Sequence, residues 1–279
     1  MRLCKLKATF CVAGLLIAKF IFAQATNPIK FGKVLPKDFD LSAYNIDSSV
    51  AAVIISDVGE TSFLGNAHGG FSIEFDRKVR LKILKTSGLS AATFKLPLYI
   101  GFESSDNEVI RGLKAHTYNL ENGKVVDVAL PRSDIFTEKQ SKFWNEQKFT
   151  LPSVKVGSII EVEYTIQSPH VFNLREWYFQ SEEHQTLWSE YKIEVPEFYN
   201  YVILSQGYMP YTIETRDDSR KTYNVLFSEG TNATERNQIT SGTIIKRYVV
   251  TNAPPLKEES FTSSPENHIK KIEFQLSEV

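Results

Sequence analysis

The stretch Phe71–Ile83 reads F-S-I-E-F-D-R-K-V-R-L-K-I. Taken alternately, Phe71, Ile73, Phe75, Val79, Leu81 and Ile83 share one face, and Ser72, Glu74, Asp76, Lys78, Arg80 and Lys82 share the other. A helix would scatter the apolar set around its circumference, whereas a strand with one buried face sorts it in this way. Arg77 interrupts the apolar row. It is expected to mark a bulge or a bend between two shorter strands, because ladders of this length are uncommon.

The same period of two recurs along the chain. Ile160, Val162, Tyr164 and Ile166 alternate with Glu161, Glu163, Thr165 and Gln167. Tyr191, Ile193 and Val195 alternate with Lys192 and Glu194, and Ile272, Phe274 and Leu276 with Lys271, Glu273 and Gln275. Turn residues separate these runs. Asn122-Gly123 tolerates positive φ at both positions and suits a type I′ hairpin, and Gly157-Ser158 provides a second tight reversal before Ile160. No stretch carries a sustained helical stripe with caps, although a short helix fits near 265–270. Many short strands between turns predict an all-β fold, an antiparallel β-sandwich-like arrangement of twisted sheets with little helix.

The chain divides into three parts. Residues 1–23 carry a basic start (Arg2, Lys5, Lys7), an apolar run at 8–18 (ATFCVAGLLIA) and small residues at Ala23 and Ala25. That order of charge, apolar run and small residues is a secretory signal peptide, cut after Ala23 or after Ala25. Lys19 interrupts the run too early for a membrane-spanning helix of about 20 residues. Residues 24–43, with Pro28, Gly32 and Pro36, read as a linker or extended arm, and 44–279 as an all-β module. Candidate seams within that module lie near 168–186, opening on Ser168-Pro169, and across the polar stretch 228–242.

Both cysteines, Cys4 and Cys11, fall inside the signal segment, so the processed chain has no thiol nucleophile and no disulfide. Loss of Arg2, Lys5, Lys7 and Lys19 leaves 28 basic against 33 acidic residues, a net charge of −5. That balance carries no nucleic-acid footprint and no polybasic membrane patch. The expected location is the periplasm or outer cell envelope, as an exported protein that is not integral to the membrane.

Residues 149–164 (FTLPSVKVGSIIEVEY) resemble the signature of the bacterial domain of unknown function 3857. Matching pieces are Ala51-Ala52-Val53, Arg80-Leu81-Lys82-Ile83-Leu84 and Lys114-Ala115-His116-Thr117-Tyr118. Further along come Trp177-Tyr178-Phe179-Gln180, Trp188-Ser189-Glu190-Tyr191 running into Val195-Pro196, and Pro254-Pro255-Leu256-Lys257-Glu258-Glu259. One departure lies between Gln180 and Trp188, where the family usually has a proline and this chain reads S-E-E-H-Q-T-L. The resemblance implies an extracytoplasmic β-sandwich module that precedes a transglutaminase-like core in secreted bacterial proteins. It places that core, with its Cys-His-Asp arrangement, after Leu276, and it brings no catalytic residues, metal or cofactor to this chain.

Candidate chemistry in the sequence is thin. His68-Gly69-Gly70 has the look of an oxyanion loop, but the G-x-S-x-G elbow that would accompany it is missing, and a turn explains the glycines. Glu182-Glu183-His184 offers three metal-ligand types in a row, yet neighbours in an extended chain point to opposite faces. Glu161 and Glu163 have glycosidase-like spacing, but alternation already explains them as the polar side of a strand. Aromatic residues crowd the middle of the chain, and Tyr199, Tyr201, Tyr208 and Tyr211 are the ones expected on an open face.

The leading expectation is a non-catalytic module that packs against a transglutaminase-like core, in the same chain or another, or against an envelope protein. An alternative is a carbohydrate- or peptidoglycan-binding module using those four tyrosines. A stand-alone hydrolase, through a serine with His68, His116 or His184, comes third.

Overall fold

A computed structural model describes residues 27, 29–67, 70–229, 233–256 and 267–278, the side chains of 227–229 and 233–236 excepted. The segment expected to be a signal peptide and His68-Gly69 lie outside the described residues, and the short helix expected near 265–270 lies partly outside them.

The described residues build fourteen strands: β1 (Ala52–Gly65), β2 (Phe71–Ile83), β3 (Thr93–Tyr99), β4 (Val109–Glu121), β5 (Lys124–Ala129), β6 (Phe136–Lys139), β7 (Trp144–Thr150), β8 (Ile159–Ser168), β9 (Trp177–Tyr178), β10 (Gln185–Pro196), β11 (Asn200–Gln206), β12 (Ile213–Glu229), β13 (Ala233–Ala253) and β14 (Lys271–Glu278). The helical pieces among the described residues are short 3-10 turns such as Pro36–Phe39 and Thr86–Ala92. Eight strands form one large sheet in the order β12-β13-β10-β1-β2-β8-β4-β5. Two three-stranded sheets, β11-β14-β9 and β3-β7-β6, complete the architecture. The fold is the all-β, sandwich-like one that alternation predicts, with little helix. Among the described residues no helix is long and apolar enough to cross a membrane.

The apolar face of the large sheet is the core. Phe63 of β1, Phe75 and Leu81 of β2, Ile160 and Val162 of β8, Tyr191 of β10 and Val250 of β13 belong to one cluster. Leu96, Leu98 and Phe149 reach it from one small sheet, and Trp177 and Ile272 from the other. Thus the two small sheets tile one face of the large one side by side. At Gly59 the tiling leaves no room, since a Cβ there would stand 2.3 Å from the Trp177 ring.

Three details depart from the sequence reading. First, β2 runs unbroken through Arg77, which pairs with Gly59, and the irregularity sits further along in β1, between Ile54 and Ser56, opposite Leu81 and Arg80. Arg77 keeps its place in the apolar row because Asp57 of β1 receives it, Nε–Oδ1 2.9 Å and Nη2–Oδ2 2.6 Å, while its guanidinium lies 5.3 Å from the Trp177 ring. Second, β1 and β10 pair in parallel, Val53 with Gln185 through Thr61 with Ile193. A period of two is the same in parallel and antiparallel ladders, so the pattern could not show this.

Third, Arg80 and Glu161, both assigned to the polar side, are buried on it. The arm folds back over that face, with Val34 and Phe39 packing on Tyr118 and Ile159. Beneath the arm Arg80 is 2% exposed and paired with Glu161, Nε–Oε1 2.7 Å. Its Nη2 also donates to the carbonyls of Lys30 (2.9 Å) and Lys33 (3.1 Å). The Gly32 N–H and the Tyr118 hydroxyl donate to Glu161 Oε2 at 2.9 and 3.2 Å.

Candidate functional site

The four tyrosines do not form the open face expected of them. Tyr199 stacks on the buried Phe63 at 5.3 Å, and the Tyr201 hydroxyl donates inward to the Val171 carbonyl. Tyr211 packs between Phe179 and Tyr248, with the Lys270 ammonium 3.8 Å from its ring. Burial raises the hydroxyl pKa of all three above the ordinary tyrosine value. Tyr208 alone stands out, 87% exposed, against His268 at 5.9 Å. The reason lies in β11: its odd residues Tyr201 and Ile203 face the core, so exposure falls on Val202 and Leu204.

The residues weighed for hydrolysis are not brought together. His116 of β4 bonds Asp127 of β5 at 2.8 Å. His184 leads into β10, four strand positions away in the large sheet, roughly 19 Å at the usual strand spacing. Burial lowers the His184 pKa, partly offset by Glu183, and its Nδ1 is buried without a partner. Ser181 accepts the N–H groups of Glu183 and His184, so it serves the turn. Glu161 is committed to Arg80, and Glu163 to Lys114 (3.0 Å) and Lys78 (3.3 Å). Among the described residues no three His, Cys, Asp or Glu side chains gather as a metal site requires.

What the structure does gather is an aromatic cluster at one end of the β3-β7-β6 sheet. Tyr99 ends β3, and Trp144 begins β7, paired with it in register. Around Tyr99 lie Phe143 (6.3 Å), Trp144 (5.6 Å) and the His170 ring (4.8 Å). Phe102 meets Phe143 at 5.5 Å, and Phe172 meets His170 at 5.5 Å. Phe102 is 82% and Phe172 65% exposed, and the Lys142 ammonium stands 5.0 Å from the Phe143 ring. None of this group is among the tyrosines expected on an open face. The signal for it was local: Phe102 lies in G-F-E-S-S-D-N and Phe172 in S-P-H-V-F-N, large aromatics in turn-forming stretches that no strand carries inward.

Beside the cluster, a groove of about 540 Å³ opens where the two small sheets fail to meet over the large one. Trp144 of β7 and Tyr178 of β9 wall it, Phe75 and Ile166 form its floor, and Arg77, Glu108 and Arg175 line it. Arg77 and Tyr178 also line a second hollow, about 450 Å³, together with His184. Arg175 is fixed by Glu108 at 2.5 Å and by the Pro97 carbonyl at 3.0 Å. The Tyr178 hydroxyl donates to Glu176 at 2.7 Å; burial and that carboxylate push its pKa up to about 12.

Comparison with known proteins gives the following. The model of a family described as "Domain of Unknown Function with solved-structure structure (DUF3857)" matches residues 71–229. No curated protein matches the chain. Among solved structures, a protein of Parabacteroides distasonis ATCC 8503 described as a "putative protease" superposes with a TM-score of 0.54 at 13% identity, over 80% of this chain and 39% of that one. An M1 zinc metallopeptidase of Deinococcus radiodurans aligns over 87% of this chain and 46% of its own at 9% identity, with a TM-score of 0.29, too low to support any inference. The chain therefore spans less than half the length of these solved proteins.

Proposed function

The chain belongs to the DUF3857 family, and from that membership we propose that it is a non-catalytic module of the cell envelope that holds a folded partner against its aromatic end. The partner is a transglutaminase-like core, carried in the same polypeptide or supplied by another. The observation that carries this reading is the cluster of Tyr99, Phe102, Phe143, Trp144, His170 and Phe172. Exposed aromatics side by side are costly to leave in water and are the residues that dominate protein interfaces once covered. The neighbour from Parabacteroides distasonis lends support, since this fold fills only 39% of that chain and leaves most of it for other structure. Export is part of the same proposal and rests on the charge, apolar run and small residues at the start of the sequence.

The test is co-expression with a transglutaminase-like core domain of the same organism, followed by recovery of the complex from the periplasmic fraction. The wild-type module is expected to co-elute with the core, and a Phe102→Ser/Phe172→Ser variant is expected to weaken the complex at least about tenfold. Both side chains are exposed, so the variant should keep the wild-type melting temperature. Equal binding by wild type and variant, or a module that elutes alone, would refute the proposal.

A further inference from the structure

The groove between the small sheets is separate from the docking cluster except at Trp144, and its lining has a definite chemical character. Apart from the exposed Lys95, its charges are already matched. Arg77 is held by Asp57, Arg175 by Glu108, and Glu176 by Lys271 at 3.3 Å; Glu273 pairs with Lys271 as well. A cationic ligand, or an anionic one that reaches past Lys95, would have to displace one of these partners and leave a half-buried charge uncompensated, which is unfavourable. A neutral ligand rich in hydroxyls faces no such barrier. Carboxylates keep spare lone pairs and guanidinium groups keep spare N–H donors after forming one pair, and a hydroxyl can serve either.

The walls point the same way. Trp144 and Tyr178 come from different small sheets, each about two-fifths exposed, and both border the groove. Half-exposed aromatics with fixed polar groups between them suit a ligand that has apolar ring faces and a polar edge. The volume falls within the about 300–1,000 Å³ usual for small-molecule sites, and Arg77 and Tyr178 also line a second hollow of about 450 Å³.

We infer that this groove, walled by Trp144 and Tyr178 and lined by the Arg77–Asp57 and Arg175–Glu108 pairs, binds a neutral oligosaccharide. The module would then hold an envelope glycan by one surface and a protein partner by another.

Calorimetric titration of the full chain tests this, with a panel of neutral linear tetrasaccharides of glucose and of N-acetylglucosamine in α and β linkages. Tetralysine and tetraglutamate serve as ionic competitors. The expected result is saturable binding of at least one saccharide, weakened about tenfold or more by Tyr178→Ala. Tyr178→Phe, which keeps the ring, should retain it. Phe102→Ser/Phe172→Ser should retain it too, so failure of the glycan site and failure of the docking site are told apart. No saturable binding at millimolar saccharide, unchanged binding by the folded Tyr178→Ala protein, or binding of a charged peptide in place of a saccharide would each overturn the inference.

Discussion

The Arg80 guanidinium has four acceptors around it: Glu161 as its charge partner at 2.7 Å, the carbonyls of Lys30 and Lys33, and Asp38 at 3.8 Å. Phe31 closes the site, its ring centre 5.9 Å from the guanidinium carbon. A pair buried this way gives little net stability relative to apolar residues of the same shape, but breaking it is costly, because the surviving charge remains out of water. Arg80→Ala should therefore destabilise the module by about 3–5 kcal/mol in urea unfolding, while Arg80→Met combined with Glu161→Leu should recover most of that loss. A loss below about 1 kcal/mol for Arg80→Ala, the size expected of an exposed pair, would mean that the arm does not keep the pair covered in solution. Alternation placed both residues on the correct face of their strands. It could not say what covers that face, because the covering segment, 29–40, has no period of its own and lies some forty residues or more away in sequence. The same gap applies to Tyr199, Tyr201 and Tyr211, expected on an open face: their core contacts come from β1 and β13, which no local pattern around them reveals.

Among the elements, the β4–β5 hairpin was legible almost completely. Asn122 and Gly123 have φ of 50° and 78°, the two positive values that a type I′ turn needs, and Glu121 pairs with Lys124 across it. Gly157, at φ 91°, supplies the reversal before β8 in the same manner. The Gly123 position is open, with nothing within 4 Å of where a Cβ would stand, so only backbone strain opposes a side chain there. Gly123→Ala is expected to lower stability by about 1 kcal/mol, read as a shift of the urea midpoint at unchanged slope. Asn122→Gly should be close to neutral, because glycine adopts the same positive φ. An unchanged midpoint for Gly123→Ala would show that the turn relaxes to another type. Local turn chemistry of this sort is written in two residues. Strand partners are not: the parallel β1–β10 ladder joins residues more than 130 positions apart, and nothing local marks it. The polar stretch at 228–242 likewise shows no break in pairing among its described residues, since it runs through the far end of the β12–β13 hairpin.

For the molecule as a whole, the question is whether the seam expected near 168–186 separates two units. Strands before it supply β1, β2, β8, β4 and β5 of the large sheet, and strands after it supply β10, β13 and β12. The β1–β10 ladder joins the two groups through seven residue pairs, and the core cluster runs from Ile160 and Ile166 on one side to Tyr191 and Val250 on the other. Trp177, inside the seam, packs on Tyr191 at 5.3 Å and on Phe75 at 6.3 Å, and its indole N–H donates to Ser189 Oγ at 3.1 Å. Separating the halves would expose this cluster and strip β1 and β10 of shared backbone bonds, leaving two open sheet edges in water. Chains of this length often unfold in steps, but a step requires a part that keeps its own core when the rest is gone. The large core cluster draws residues from both halves. A single calorimetric transition is therefore expected, with matching enthalpies from calorimetry and from the van't Hoff slope, and with coincident melts by far-ultraviolet dichroism and tryptophan fluorescence. Two resolved transitions, or a fluorescence melt that precedes loss of strand signal, would mean that the chain on either side of Trp177 folds independently. The groove between the small sheets would then be a gap between domains, and its shape would depend on how they meet.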